Sequence, residues 1–316
     1  MTTTVTSAES SAESSAGTPA ESSAGTSRET SGSADELLDA GRLVDLLPPG
    51  SPARGGVAAA NARFTRPLQV QVVGRPGVGR DTMARAVRDR LAVTTIGPGE
   101  AAEGAADADL WVLLLAGLPR PEDRAALSRL PADRTIVVLG KADTLGERDV
   151  ALDLAHRSAD VLGVSVVAVS QLLSCADVRD DEFDFLRAMV AAGEEMPSMS
   201  AEFLTPTGVI RDGSERLVRS GLLRRIDQSG IDLALAVLSG DPDAVRTATQ
   251  LNRILHAAGH IGDLVAPIRE RVARVRAWRT VEVRNRLEVI AAGGTDRDAV
   301  EHLLSLDGLA RSEVPR

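Results

Sequence analysis

Between residues 67 and 192 the chain alternates five short apolar runs with helix-patterned segments, and this alternation constrains the fold more than any other feature. The runs at 68–73, 92–96, 110–115, 135–139 and 164–169 have strand length and are rich in Val, Ile and Leu. The segments 81–91, 121–129, 147–161 and 181–192 carry the spacing of helices with one apolar face. Strands separated by helices pair in parallel, because the crossover returns the chain to the same end of the sheet. A parallel sheet covered by helices is therefore expected over 67–193.

The flanking segments differ in kind. Residues 1–34 are low-complexity Ser, Ala, Glu and Thr, too poor in apolar surface to offset the entropy of ordering, and are expected to be disordered. Residues 35–47 read as an amphipathic helix stopped by Pro48-Pro49-Gly50, with 48–66 a linker. After a connector over 194–213, residues 214–308 are helical, in segments near 214–238, 242–258, 261–292 and 296–306. They are expected to form a bundle onto which the 35–47 helix could fold, followed by a tail over 309–316.

Composition narrows the function classes. A net charge of −9 argues against a broad nucleic-acid interface and against an anionic membrane surface. The only cysteine, Cys175, excludes an intramolecular disulfide and a cysteine-based zinc site. The longest apolar stretch is too short to cross a bilayer and the N-terminus lacks a secretory pattern, so a cytoplasmic location is expected.

The first strand runs into Gly74-Arg75-Pro76-Gly77-Val78-Gly79-Arg80-Asp81-Thr82 and then a helix. Backbone N–H groups of such a turn, together with a helix N-terminus, converge on one point and favour bound phosphate. The fourth run leads into Gly140-Lys141-Ala142-Asp143, which holds the only lysine of the chain; every other Lys-or-Arg position is Arg. The fifth ends in Val169-Ser170-Gln171.

In this order the three motifs resemble the G domain of the GTPase superfamily, closer to its Era-like and bacterial dynamin-like branches than to Ras-type members. The resemblance covers about residues 67–192 and implies a small parallel-sheet P-loop (G-like) α/β domain followed by the C-terminal α-helical bundle. It also implies a nucleotide site built from Gly74, Gly77, Gly79, Arg80, Asp81, Thr82, Lys141, Asp143 and Ser170. Asp143 would accept two N–H groups of guanine, a pair of charge-assisted bonds that adenine cannot make.

Several positions depart from that pattern. Arg80 stands for the phosphate-loop lysine and Asp81 for the hydroxyl that ligates Mg2+, with Thr82 one residue late. Gly140 replaces the usual Asn or Thr. Between Arg80 and Lys141 there is too little chain for both switches and a β-hairpin, and Ile96-Gly97-Pro98-Gly99 carries Ile where the family has Asp. Hydrolysis needs metal charge and a positioned water. The expectation is therefore a GTP/GDP-binding regulatory protein with weak or absent Mg2+-dependent turnover, and no catalytic residue is assigned. The alternative is a nucleotide-free pseudo-GTPase that binds a protein partner such as a paralogous GTPase. Membrane remodelling, the third class, is disfavoured by the acidic charge and the lack of a membrane paddle.

Smaller signals have structural explanations. His256, His260 and Asp263 have metal-ligand spacing, but Gly259 and Gly262 weaken the helix and the histidines read as surface residues. Cys175 has no activating partner in sequence. The acidic run from Asp177 to Asp184 reads as a helix start. The Arg-rich stretch 269–286 reads as a solvated face supported by Glu270–Arg274 and Glu282–Arg286 pairs, rather than as a docking surface.

Overall fold

The computed structural model describes residues 34–96, 108–205, 213–240, 244–306 and 309. Its centre is a sheet of five parallel strands, β1 (Gln69–Gly74), β2 (Thr94–Ile96), β3 (Leu110–Leu115), β4 (Thr135–Leu139) and β5 (Val166–Ala168), in the order β2-β1-β3-β4-β5. Val70 pairs with both Thr95 and Leu110, so β1 lies between the second and third strands. The strand order reverses between β1 and β3. In such open sheets a crevice forms there, at the carboxyl ends of the strands.

Side chains alternate along each strand, so the two faces bury different residues. Val70, Val72, Val112, Leu114 and Val138 lie beneath α3 (Arg80–Leu91), which contributes Met83, Ala84 and Val87. Leu113, Leu115, Val137 and Leu139 face α4 (Pro121–Leu127) and α5 (Arg148–Leu162). Burying each such leucine fully contributes about 1.5–3 kcal/mol relative to exposure. A mixed α/β architecture with both sheet faces covered results.

Beyond β5 come α6 (Gln171–Ser174), α7 (Asp180–Ala192), α8 (Ser200–Phe203), α9 (Gly213–Gly240), α10 (Ala248–Ala258), α11 (Val265–Ala292) and α12 (Arg297–Ser305). The C-terminal helices do not gather around one core of their own, as a bundle would. Their apolar residues are divided among three clusters. Leu222, Ile226, Leu251 and Leu255 pack with α7. Ile261, Leu264, Ile268 and Val275 close the sheet face beside α3. Val283, Leu287, Val300 and Leu303 pack against the N-terminal helices.

The segment expected as one helix over 35–47 is α1 (Ala34–Asp39), a turn at Gly41 with φ +74°, and a 3-10 turn, Leu43–Leu46. A positive φ cannot continue a helix. Leu38, Leu43 and Leu47 do fold back onto the C-terminal helices. Residues 54–65, expected as linker, form α2 (Arg54–Thr65). This helix buries Val57, Ala60 and Phe64 alongside the polar Asn61 and Arg63, which hides its apolar face in the sequence. Asn61 bridges Leu38 O and Leu43 N.

A buried ionic knot ties α2, α11 and the sheet. Asp109 is fully buried; it accepts from Gln69 N at 2.8 Å and from Arg279 Nη2 at 2.5 Å, with Arg63 at 3.2 Å. Arg279 also donates to the Phe64, Arg66 and Pro67 carbonyls. The Arg134 guanidinium lies 5.0 Å from the ring of Trp111 and 4.3 Å from that of Trp278. Much of the Arg-rich stretch is thus used within the fold. Glu282–Arg286 forms at 2.6 Å, whereas Glu270 lies nearest Arg271, at 4.0 Å, rather than Arg274.

The tail over 1–33, the sequence Gly97-Pro98-Gly99, part of the 194–213 connector, the first residues of the segment expected near 242–258 and most of the 309–316 tail lie outside the described residues. Among the described residues no helix is long and apolar enough to cross a membrane.

Candidate functional site

The turn after β1 is held open by its glycines. Gly77 and Gly79 have φ of +84° and +93°, and Gly74, at +149°, passes so close to β3 that a Cβ would lie 2.6 Å from Leu114 O. Helix α3 then begins at Arg80. Its first intrahelical donor to Gly79 O is Met83 N, so the N–H groups of Arg80, Asp81 and Thr82 have no partner within the helix. Asp81 is exposed at this end, and Arg75 is drawn away to Asp123 at 2.9 Å.

The loop after β4 is positioned by backbone bonds to its neighbours. Gly140 N donates to Leu115 O at 2.8 Å and Ala142 N to Val169 O at 3.2 Å. Lys141 adopts φ +57° and is exposed; Asp143 is half-buried in the 3-10 turn that follows.

Gln171 joins the two loops. Its Oε1 accepts from Lys141 N at 2.8 Å, and its Nε2 donates to Val78 O at 3.2 Å. Gly79 and Gly140 make room for it, since a Cβ on Gly79 would lie 2.6 Å from Nε2 and one on Gly140 2.9 Å from Oε1. The glycine at 140 is therefore the space that a Gln171 side chain requires. The glycine turn and the Lys141–Asp143 loop thus meet at one edge of the sheet, as the motif spacing implied. The role of Gln171 was not foreseen, although its place directly after Ser170 was a usable signal.

The C-terminal helices reach the same place. Ser229 Oγ of α9 donates to Asp143 Oδ2 at 3.2 Å, while Asp143 Oδ1 is buried and has no hydrogen-bond partner among the described residues. Ser170 N donates to Gly259 O at 2.9 Å, just past the end of α10. Ser170 Oγ is used separately, capping α6 at Leu173 N. Asp143, Ser229, Arg148 and His260 line a cavity of about 270 Å3 whose apolar wall includes Leu173 and Leu233.

The remaining candidates do not assemble into a site. His256 Nε2 lies 2.7 Å from Ala176 O, whereas His260, at φ +55°, turns away past the end of α10 to sit 3.8 Å from Asp263. Among the described residues no group of three His, Cys, Asp or Glu side chains is placed to hold a metal. Cys175 donates to Thr82 O, and burial pushes its thiol up in spite of Arg85 beside it. Glu182 of the acidic run is buried, accepting from Arg179 N and Arg225.

No protein-family model matches the chain, and no curated protein matches it either.

Proposed function

We propose that this chain is a divergent P-loop GTPase relative that binds guanine nucleotide without efficient Mg2+-dependent hydrolysis and acts as a regulatory protein. One observation carries the reading. Asp143 Oδ1 is a buried carboxylate oxygen with no donor among the described residues, in a loop that Gln171 joins to the glycine turn. Buried polar atoms are nearly always paired, and an orphan is completed by an ordered water or by a bound ligand. A guanine N–H supplies the donor.

On the phosphate side, the glycine turn and the free N–H groups of α3 fit an anion. Arg80 adds positive charge there, as a bulky planar fork rather than a compact ammonium. Asp81 fits less well, because its carboxylate adds negative charge where the family has a hydroxyl. When bound, the nucleotide would supply the charge and base edge that these groups answer. No hydrolytic step is assigned to the residues present.

Fluorescent GDP is expected to bind the purified chain more tightly than the ADP equivalent, and Asp143→Asn to erode that preference. Equal affinity for both nucleotides, or no binding of either, rejects the reading.

A second reading, a nucleotide-free subunit that binds a protein partner such as an intact GTPase, draws on a different observation. Ser229 and Gly259 already bond to Asp143 and to Ser170 N–H. Purified protein that carries no nucleotide after denaturation, yet holds a stoichiometric GTPase, would favour it.

A further inference from the structure

We propose that the α9–α10 region is a built-in competitor for the guanine base, so that nucleotide entry requires this region to lift from the loop after β4. The inference rests on the guanine-nucleotide reading and adds its regulation.

The two contacts copy the polarity of a purine edge. Ser229 presents an O–H donor to the Asp143 carboxylate, where a guanine N–H would donate. Gly259 presents a carbonyl acceptor to the Ser170 N–H, where a base oxygen would accept. One donor and one acceptor, from two different helical segments, thus meet two polar groups of the proposed nucleotide site. The Ser170 N–H must leave Gly259 before it can serve a ligand, and Ser229 sits against the second Asp143 oxygen that a guanine edge would use.

The approach is close. A Cβ on Gly259 would come within 2.6 Å of Ser174 N and 3.0 Å of Ser170 O, so only glycine lets this end of α10 settle on the strand-end turn. Gly230, beside Ser229, is equally tight: a Cβ there would lie 2.9 Å from Leu173 Cδ2.

A hinge lies next to the contact. Within α9, Asp227 has φ +56° and ψ −175°, a conformation that L-residues avoid and that breaks the helix two residues before Ser229. Its carboxylate is turned onto Gln228 N at 2.8 Å, bracing the bend. The half of α9 that carries Ser229 therefore joins the rest through a strained residue rather than a continuous helix.

The test compares the full chain with Ser229→Ala, using fluorescent GDP and ADP and hydrogen exchange over residues 252–264. Removing one charge-assisted bond from the closed form is expected to tighten GDP by about tenfold, and any ADP binding by the same factor, because both need the open form. GDP bound to the parent chain is expected to strip exchange protection from residues 252–264. Equal GDP affinity in parent and variant overturns the competition while leaving the nucleotide reading intact. Faster exchange over 252–264 in Ser229→Ala, with no GDP bound by either protein, overturns the nucleotide reading and the competition with it. Gly259→Ala, which forces α10 off the turn, provides a second variant and is expected to shift GDP affinity in the same direction.

Discussion

The backbone amide of Lys141 donates to Oε1 of Gln171 across 2.8 Å, and the other end of that side-chain amide reaches the glycine turn at Val78. Two loops far apart in sequence are held together by one neutral side chain. Gly140 is what leaves room for it.

Placing Asn at position 140 is therefore expected to disrupt the packing around Gln171. Asn at 140 places its Cβ 2.9 Å from Gln171 Oε1 and 2.8 Å from Leu114 Cδ1. Gly140→Asn alone is expected to cost about 1–3 kcal/mol by overpacking. Gln171→Ala alone, which leaves Val78 O and Lys141 N unpaired, is expected to cost about as much. In the double variant the losses will not add, because each relieves the other. Urea unfolding of the four proteins measures the coupling; strictly additive losses would remove the claim.

Asp109→Ala is expected to be among the most damaging single changes. It removes the buried carboxylate that Arg279 and Arg63 share, although Arg63 keeps Glu282 and Arg279 its backbone carbonyls. Removing one partner of a buried ionic group costs about 3–5 kcal/mol. A fall in the denaturation midpoint no larger than that of a surface substitution would contradict the arrangement.

Only two tryptophans occur, and both touch Arg134. Intrinsic emission therefore reports the junction between the sheet and α11. Arg134→Ala is expected to change the emission of both Trp111→Phe and Trp278→Phe proteins. Unchanged spectra in either background would place that ring away from Arg134.

Stability is expected to fall below neutral pH through His256. Burial, with the Arg90 guanidinium nearby, lowers its pKa from the ordinary value of about 6.5, outweighing the raising effect of its bond to Ala176. A lowered folded pKa means that the unfolded chain takes up the proton first as pH drops. Stability from this group is thus complete above about pH 6.5 and declines as pH falls from there toward the folded pKa. His260, lowered chiefly by burial as well, acts in the same direction. His256→Gln, which keeps a donor for Ala176, is expected to flatten the loss in chemical unfolding between pH 7.5 and 5.5. A parent and variant with the same pH dependence would exclude the group.

Local pattern alone placed the five strands and the helices α3, α4, α5 and α7, though not the strand order or the short α6. Strand propensity, apolar runs and glycine breaks all act within a few residues, so β3 and β4 coincide with the apolar runs at 110–115 and 135–139. The meeting of the glycine turn with the Lys141 loop was legible for the same reason, because parallel strands bring their carboxyl ends to one edge. What tertiary structure alone decided is long-range. Residues 54–65 became a helix through packing on α11, which their own weak pattern could not announce. Ser229 and Gly259 have no local signature, since a hydroxyl and a carbonyl acquire meaning only from what they meet across the fold. That Asp143 is engaged by α9 is decided by such contacts, because a hydrogen bond depends on distance in space and not along the chain.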